Sequence, residues 1–425
     1  MSYDTTRDAE QLNQIEYAID DFIVRYNNSA AAASARQTVF LFPGGTGARL
    51  KRARKPYKDG VSGVQTFSYD DVWLTPFTFA FPDDMRNLRM KRVAPGQYRD
   101  KDNHIIVADG AIGYLGCTPY AGFTTWCDEK QLDWFVFGWD WRRPIQHAGK
   151  FFVEKFLPHF QARVQAGCSN ADPLKNFSLI GHSSGGMVVN YILRKYNQSF
   201  GASLSKVITV ATPFYGYAAQ VHRWFEGESP FNGIFNQWRT GVIKVICSMP
   251  ALYPLHFLEG PLFDLHQTAF ANDPDAPLNE YPSLDKTNPM VRADPYHPKT
   301  LGSKRRYPNG TSGFDHAELE RGRIIARYLA GPFNPSTLAD KFYNIRGILP
   351  VDSTAGNTSW DWVPPTLPTP IKDGPIPFPG DDTQPAWTAR LVTLNPITVK
   401  HWTVAHMWSM LSPKVQAKVA LILGV

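Results

Sequence analysis

The sequence predicts an α/β architecture: a mostly parallel central sheet flanked by helices, with a lid loop and a cap insertion. Three observations carry that reading. Short, largely apolar runs recur along the chain, as strands buried on both faces of a sheet do. Segments of helical period separate several of those runs, the alternation that builds a parallel sheet covered on both sides. A glycine-rich turn, Gly181-His182-Ser183-Ser184-Gly185-Gly186, joins one apolar run directly to a helical one.

Residues 11–26 read as an amphipathic helix with Leu12, Ile15, Ile19, Phe22 and Ile23 on one face, and an Ala/Ser linker from Ser29 to Ala35 follows. Thr38 to Phe42 is the first strand, ending at Pro43-Gly44-Gly45. Further strands are predicted at Trp134–Phe137, Phe177–Ile180, Val207–Val210, Phe342–Ile348 and Ile397–Val404. Helices are predicted at Phe151–Val164, Ser184–Tyr196 and Ala317–Leu329, with a final one begun by Ser412-Pro413. Two stretches, 47–105 and 213–338, are too long for simple connections, so they read as a lid region and a cap inserted into a single domain spanning 1–425. No internal repeat is present, and the pair Trp139-Asp140-Trp141 and Trp360-Asp361-Trp362 reads as coincidence.

With 425 residues the chain can bury a large core. Its 12 Trp and 27 Phe suit packing first and an apolar binding surface second. A formal charge of +6 is mild, and no nucleic-acid motif accompanies it. The basic stretch Arg49–Lys55 reads as a solvated, mobile loop, with contact to anionic lipid surfaces as its functional alternative. None of the four cysteines has metal-ligand spacing, so neither a metal nor another cofactor is expected. Cys117 and Cys127 flank one loop and are compatible with a disulfide or with two free thiols. The N-terminal segment is charged throughout and nothing in the chain is long and apolar enough to span a membrane. The expected location is cytoplasmic, or secreted if a leader has been removed.

The turn at Ser183 carries the chemistry. In a G-x-S-x-G elbow a strand enters, the chain turns sharply at the serine and a helix leaves, aiming its first N–H groups at developing negative charge. A serine hydroxyl needs a histidine to take its proton and a carboxylate to orient that histidine, in the chain order Ser, Asp or Glu, His. His406 lies just past the last predicted strand and fits the base. His401, inside that strand, is its competitor and reads as structural. For the acid, Asp381 stands after a glycine in a turn, with Asp382, Asp373 and Asp361 as alternatives in Pro/Gly-rich loops. The oxyanion donors are predicted as the backbone N–H groups of Ser184 and Thr46, the latter in the loop Pro43-Gly44-Gly45-Thr46-Gly47. That loop lacks the Gly-Lys-Ser/Thr ending of a phosphate-binding loop.

These segments together resemble the lecithin–cholesterol acyltransferase family of α/β-hydrolases. Phe42-Pro43-Gly44-Gly45-Thr46-Gly47-Ala48-Arg49-Leu50 is similar to its oxyanion segment, Val72-Trp73-Leu74 to its lid tryptophan, and Gly138-Trp139-Asp140-Trp141-Arg142 to its Y-D-W-R segment. Thr209 to Gly216 resembles the strand that ends in A-T-P-x-x-G, and Ser248 to Tyr253 a cap segment. Gly380-Asp381-Asp382-Thr383 and Ala405-His406-Met407 resemble the segments that carry the acid and the base. The family's cysteine pair around the lid tryptophan is absent, and Gln384 stands where an apolar residue is usual. The resemblance implies an α/β-hydrolase fold, Asp140 and Arg142 as structural partners beneath the cap, and Trp73 over the substrate. The expected activity is esterase or lipase chemistry on an apolar or bulky carboxylic ester, with acyl transfer to an alcohol and an inactive lipid-binding module as alternatives.

Overall fold

A computed structural model describes residues 3–29, 37–54, 57–58, 65–66, 69–73, 87–113, 118–168, 172–216, 245, 247–255, 315–348, 381, 389, 391, 397–400 and 405–425. His401, Asp361, Asp373, Asp382, Cys117 and most of the predicted cap lie outside them.

The main sheet has six strands: β1 (Thr38–Phe42), β7 (Asp133–Val136), β8 (Phe177–His182), β9 (Leu204–Val210), β10 (Phe342–Ile348) and β11 (Ile397–Lys400). Their spatial order is β11-β10-β9-β8-β1-β7, and every neighbouring pair is parallel. The apolar runs pack on both sides. In β1, Phe40 and Phe42 face one core and Val39 and Leu41 the other, because successive strand side chains point to opposite faces.

The first face is covered by α1 (Tyr3–Asn28), by a continuous helical segment made of α3 (Ile145–Phe151), a π-turn (Phe152–Phe156) and α4 (Leu157–Gly167), and by α5 (Ser184–Phe200). Phe40 is its hub, with Phe152, Phe156, Phe160 and Phe177 edge-on to its ring at 5.3–6.0 Å. Truncating such a ring to alanine costs about 3–5 kcal/mol. The second face packs against α2 (Ala121–Glu129) through Phe123, Trp126 and Cys127, and against α7 (Pro413–Leu423) through Val415 and Val419. Cys127 is a buried free thiol.

Two expectations need correction. The basic stretch is no mobile loop. Ala48–Ala53 forms β2, paired antiparallel with β3 (Tyr69–Trp73) and β6 (Ile105–Ala111). Ala48 and Leu50 point into the core while the cations between and beyond them find carboxylates: Arg49 and Lys51 on Asp109, Arg52 and Arg54 on Asp70. Charge hid a two-residue period. The N-terminal helix also starts at Tyr3, two turns before its apolar stripe, because its first buried positions are polar. There Arg7 faces Asp140, and Gln11 makes two hydrogen bonds of 2.8 Å to the backbone of Ala108.

The described part of the lid region is therefore structured. After β2 and β3 it forms the hairpin β4 (Met90–Ala94) and β5 (Gln97–Asp100). That hairpin meets α6 (His316–Ala330), where Arg92 pairs with Asp315 and Tyr98 with Glu318. Asp315 caps α6 by accepting from the N–H groups of Ala317 and Glu318.

Candidate active site

The carboxyl ends of β1 and β8 lie side by side, Phe42 opposite Gly181. From β1 the chain runs to β7 at one edge, and from β8 it steps toward the other. A crevice opens at such a switch point, where open α/β sheets bind their ligands.

Ser183 occupies that point. It leaves β8 with φ 53° and ψ −130°, and the next residue opens α5. This backbone conformation costs a residue with a Cβ about 1–3 kcal/mol and persists only where the surroundings over-determine it. Here they do. A Cβ on Gly181 would lie 2.5 Å from Gly186 Cα, and one on Gly185 would overlap the Phe42 carbonyl. The Ser183 N–H is held by the Val210 carbonyl at 2.9 Å. The loop after β1 rests directly on the serine, with a Cβ position on Gly44 only 2.8 Å from Ser183 Cβ, and one on Gly45 3.0 Å from Ser184 Oγ.

That loop is a turn closed by the Gly47 N–H on the Gly44 carbonyl at 2.9 Å. Thr46 adopts φ 64° within it, a region β-branched residues avoid. Three side chains pin the turn from outside. Trp139 Nε1–H donates to the Pro43 carbonyl and Trp73 Nε1–H to the Thr46 carbonyl, each at 2.8 Å, and the Tyr120 hydroxyl accepts the Gly44 N–H at 2.8 Å. Trp73, expected over the substrate, is buried and packs edge-on against Trp141 at 5.3 Å. Its packing is that of a core anchor for the turn.

Asp381 and His406 come together. His406 Nδ1 lies 2.7 Å from Asp381 Oδ2. A carboxylate only accepts, so Nδ1 carries a hydrogen in this contact. The His406 N–H also donates to the Asp381 carbonyl at 2.9 Å. Both residues are buried. His406 opens a short 3₁₀ turn, His406–Leu411, ahead of α7, and is docked to the elbow through His182: its carbonyl accepts from His182 Nε2 at 3.0 Å. The two imidazole rings are 5.0 Å apart. Burial first, and the neighbouring His406 second, hold the His182 pKa well below the ordinary histidine value, so this ring is neutral.

Behind the site, the Arg142 guanidinium clasps Asp140 with Nε and Nη2 at 2.8 and 2.7 Å. Arg143 and Asp100 complete a fully buried cluster that Arg7 joins from α1. Burial raises the Asp140 pKa, but the opposing pull of Arg142, then Arg143 and Arg7, prevails and holds it well below the usual carboxylate range.

Sequence reasoning passed over Tyr120 and the interactions of His182. Tyr120 belongs to no motif, and a lone aromatic near a helix start gives no chemical signal. His182 sits inside the elbow motif, yet its partners lie 62 and 224 residues away along the chain. Among the described residues no His, Cys, Asp or Glu group could hold a metal ion, and no helix is long and apolar enough to cross a membrane.

A parallel sheet covered on both faces, with a strained serine turn at its switch point, defines an α/β-hydrolase fold. The chain is similar to one in the crystal structure of the Tle4–Tli4 complex, with a TM-score of 0.52 and 11% sequence identity. The match covers 92% of this chain and 98% of that one. At that identity the likeness is one of fold. No family model and no curated protein matches the chain.

Proposed function

We propose that the protein is a serine hydrolase that cleaves carboxylic esters with apolar or bulky groups through an acyl-enzyme on Ser183. The observation that carries this reading is the strained Ser183 backbone at the switch point. Strain of this kind at a non-glycine residue, φ 53° here, clusters at active sites, and it presents a nucleophilic hydroxyl at the strand end. The Asp381–His406 pair supplies the rest. In the first step the Ser183 hydroxyl adds to the ester carbonyl as its proton passes to His406 Nε2. Asp381 stabilises the imidazolium through Nδ1–H, and the backbone N–H groups of Thr46 and Ser184 stabilise the oxyanion. Collapse of the tetrahedral adduct breaks the ester C–O bond, and His406 returns its proton to the leaving alcohol. Water, activated by His406, then releases the acid and restores Ser183.

The ordered resemblance to the lecithin–cholesterol acyltransferase family, running from the oxyanion segment to the base, supports an acyl or lipid ester as substrate. An alcohol in place of water in the second step would make the same machinery an acyltransferase. The test is hydrolysis of p-nitrophenyl esters of short, medium and long acyl chains, with a lipid alcohol acceptor in a parallel set. Ser183→Ala and His406→Ala are expected to lower kcat by about 10⁴-fold or more. Full turnover in Ser183→Ala sinks the mechanism. Acyl product on the acceptor identifies a transferase, and well-folded wild type inert to every ester points first to an enzyme of narrow specificity and second to a lipid-binding module.

A further inference from the structure

Resting on the hydrolase reading above, we infer that Tyr120 and His182 are positioning residues: together they tie the oxyanion turn at Gly44 to the main chain of His406. Three bonds make the connection. The Gly44 N–H donates to the Tyr120 hydroxyl at 2.8 Å, that hydroxyl contacts His182 Nδ1 at 2.9 Å, and His182 Nε2 contacts the His406 carbonyl at 3.0 Å.

The direction of every bond follows from one constraint. A carbonyl oxygen can only accept, so His182 Nε2 carries a hydrogen. In a neutral imidazole the other nitrogen then accepts, so the Tyr120 O–H donates to Nδ1. The phenol oxygen keeps its lone pairs for the Gly44 N–H. The relay is fully satisfied and has one sense, and Tyr120 and His182 are both almost completely buried, so water does not substitute for a missing member without cost.

Its geometry explains why it bears on the reaction. His182 is the residue before Ser183, Gly44 belongs to the turn that touches Ser183, and His406 is the proposed base. One hydroxyl and one imidazole therefore link the His406 segment to the Gly44 turn and the elbow, which strand pairing already holds together. A catalytic group displaced by about 1 Å can lose on the order of 10²-fold in rate. The neutral state of His182 matters as well, because a second imidazolium at 5.0 Å would oppose the one that forms on His406.

The test separates a relay from simple filling of space. Glutamine at position 182 can place an amide N–H near the former Nε2, whereas asparagine can only replace Nδ1. His182→Gln is expected to stay within about 10-fold of wild-type kcat. His182→Asn and Tyr120→Phe are expected to lose about 10²-fold in kcat with KM changed less than about 2-fold. Equal losses in the glutamine and asparagine variants, or a loss carried by KM alone, overturn the proposal. Side-chain ¹⁵N NMR of wild type gives a readout free of activity. His182 is expected as a neutral Nε2–H ring throughout pH 5–9; in Tyr120→Phe the Nε2–H is expected to stay on the His406 carbonyl while the Nδ1 resonance shifts on loss of its O–H donor. A ring that titrates in that range, or carries its proton on Nδ1, overturns the linkage while leaving the hydrolase reading intact. Wild type with the expected spectrum but no Ser183-dependent turnover has the opposite meaning: the linkage stands and the hydrolase reading falls.

Discussion

Backbone strain among the described residues gathers where the strands of the main sheet end. Five non-glycine residues have positive φ, and three of them, Thr46, Ser183 and Ala211, follow the adjacent strands β1, β8 and β9. Strain of this kind is retained where it holds a functional geometry. Gly44 is a different case. Its φ is not in the left-handed region, so alanine is permitted by the backbone and excluded only by contact: its Cβ would meet Ser183 Cβ at 2.8 Å, His182 Nδ1 at 3.3 Å and Ser183 Oγ at 3.4 Å. Gly44→Ala is therefore expected to lower kcat by about 10²-fold or more through displacement of the serine, with Tm changed by only a few degrees. Unchanged turnover would show that the turn does not set the serine's position. At this scale the sequence was legible where chemistry comes in motifs. Asp381 and His406, which the fold brings to 2.7 Å of each other, and Ser183, at the turn between β8 and α5, were singled out because such residues follow a known order along the chain. Tyr120 was not, because its partners are a backbone N–H and a histidine brought to it only by folding.

The elements were legible in proportion to how cleanly hydrophobicity marked them. The first five strands of the main sheet in chain order and the elbow helix were found within a few residues, since an apolar run cannot be left in water. Those that hold a polar buried face were not, and the first turns of α1 show why. Arg7 lies there because a buried ion cluster needs it. That cluster joins α1, the hairpin residue Asp100 and the Asp140-Trp141-Arg142-Arg143 segment, while the Arg142 carbonyl accepts from the Ala251 N–H at 3.3 Å. Its charges decide which substitution is worst. Among the described residues, removing Arg142 leaves Arg7 and Arg143 facing Asp100 and Asp140, a balanced set; removing the charge of Asp140 leaves three guanidiniums facing Asp100, with the partly exposed Asp8 beside Arg7. Asp140→Asn is thus expected to destabilise the protein by about 3–5 kcal/mol, more than Arg142→Met. Urea unfolding checks this as a shift in midpoint at constant slope. The reverse order would mean that the bidentate geometry, and not the charge balance, carries the cluster.

For the whole molecule, the alternation of strands and helices was enough to predict a parallel sheet, but not its strand order. The switch point between β1 and β8 is a property of chain routing, which no local pattern encodes. Global stability carries a related signature, because the fold buries titratable groups in their neutral forms. His182 and His147 have folded pKa values below the ordinary one, His147 at about 4, each chiefly through burial. Below about pH 6.5 the unfolded chain binds protons that these rings refuse, so their contribution is present above that pH and is lost as pH falls. For His147 the loss ends near pH 4, where the folded ring protonates too. On the alkaline side burial raises the Cys127 thiol and the Tyr253 phenol. The unfolded chain releases those protons from about pH 8.5 and 10 upward while the folded one keeps them, so stability falls as pH rises. Tm is expected to be highest between about pH 6.5 and 8.5. His147→Gln removes one refused proton and is expected to flatten the acid limb between about pH 6.5 and 4, by at most 1.4 kcal/mol per pH unit. Calorimetry of wild type and variant across that range decides it: an acid limb of unchanged slope would mean that His147 protonates in the folded protein as readily as in the unfolded chain.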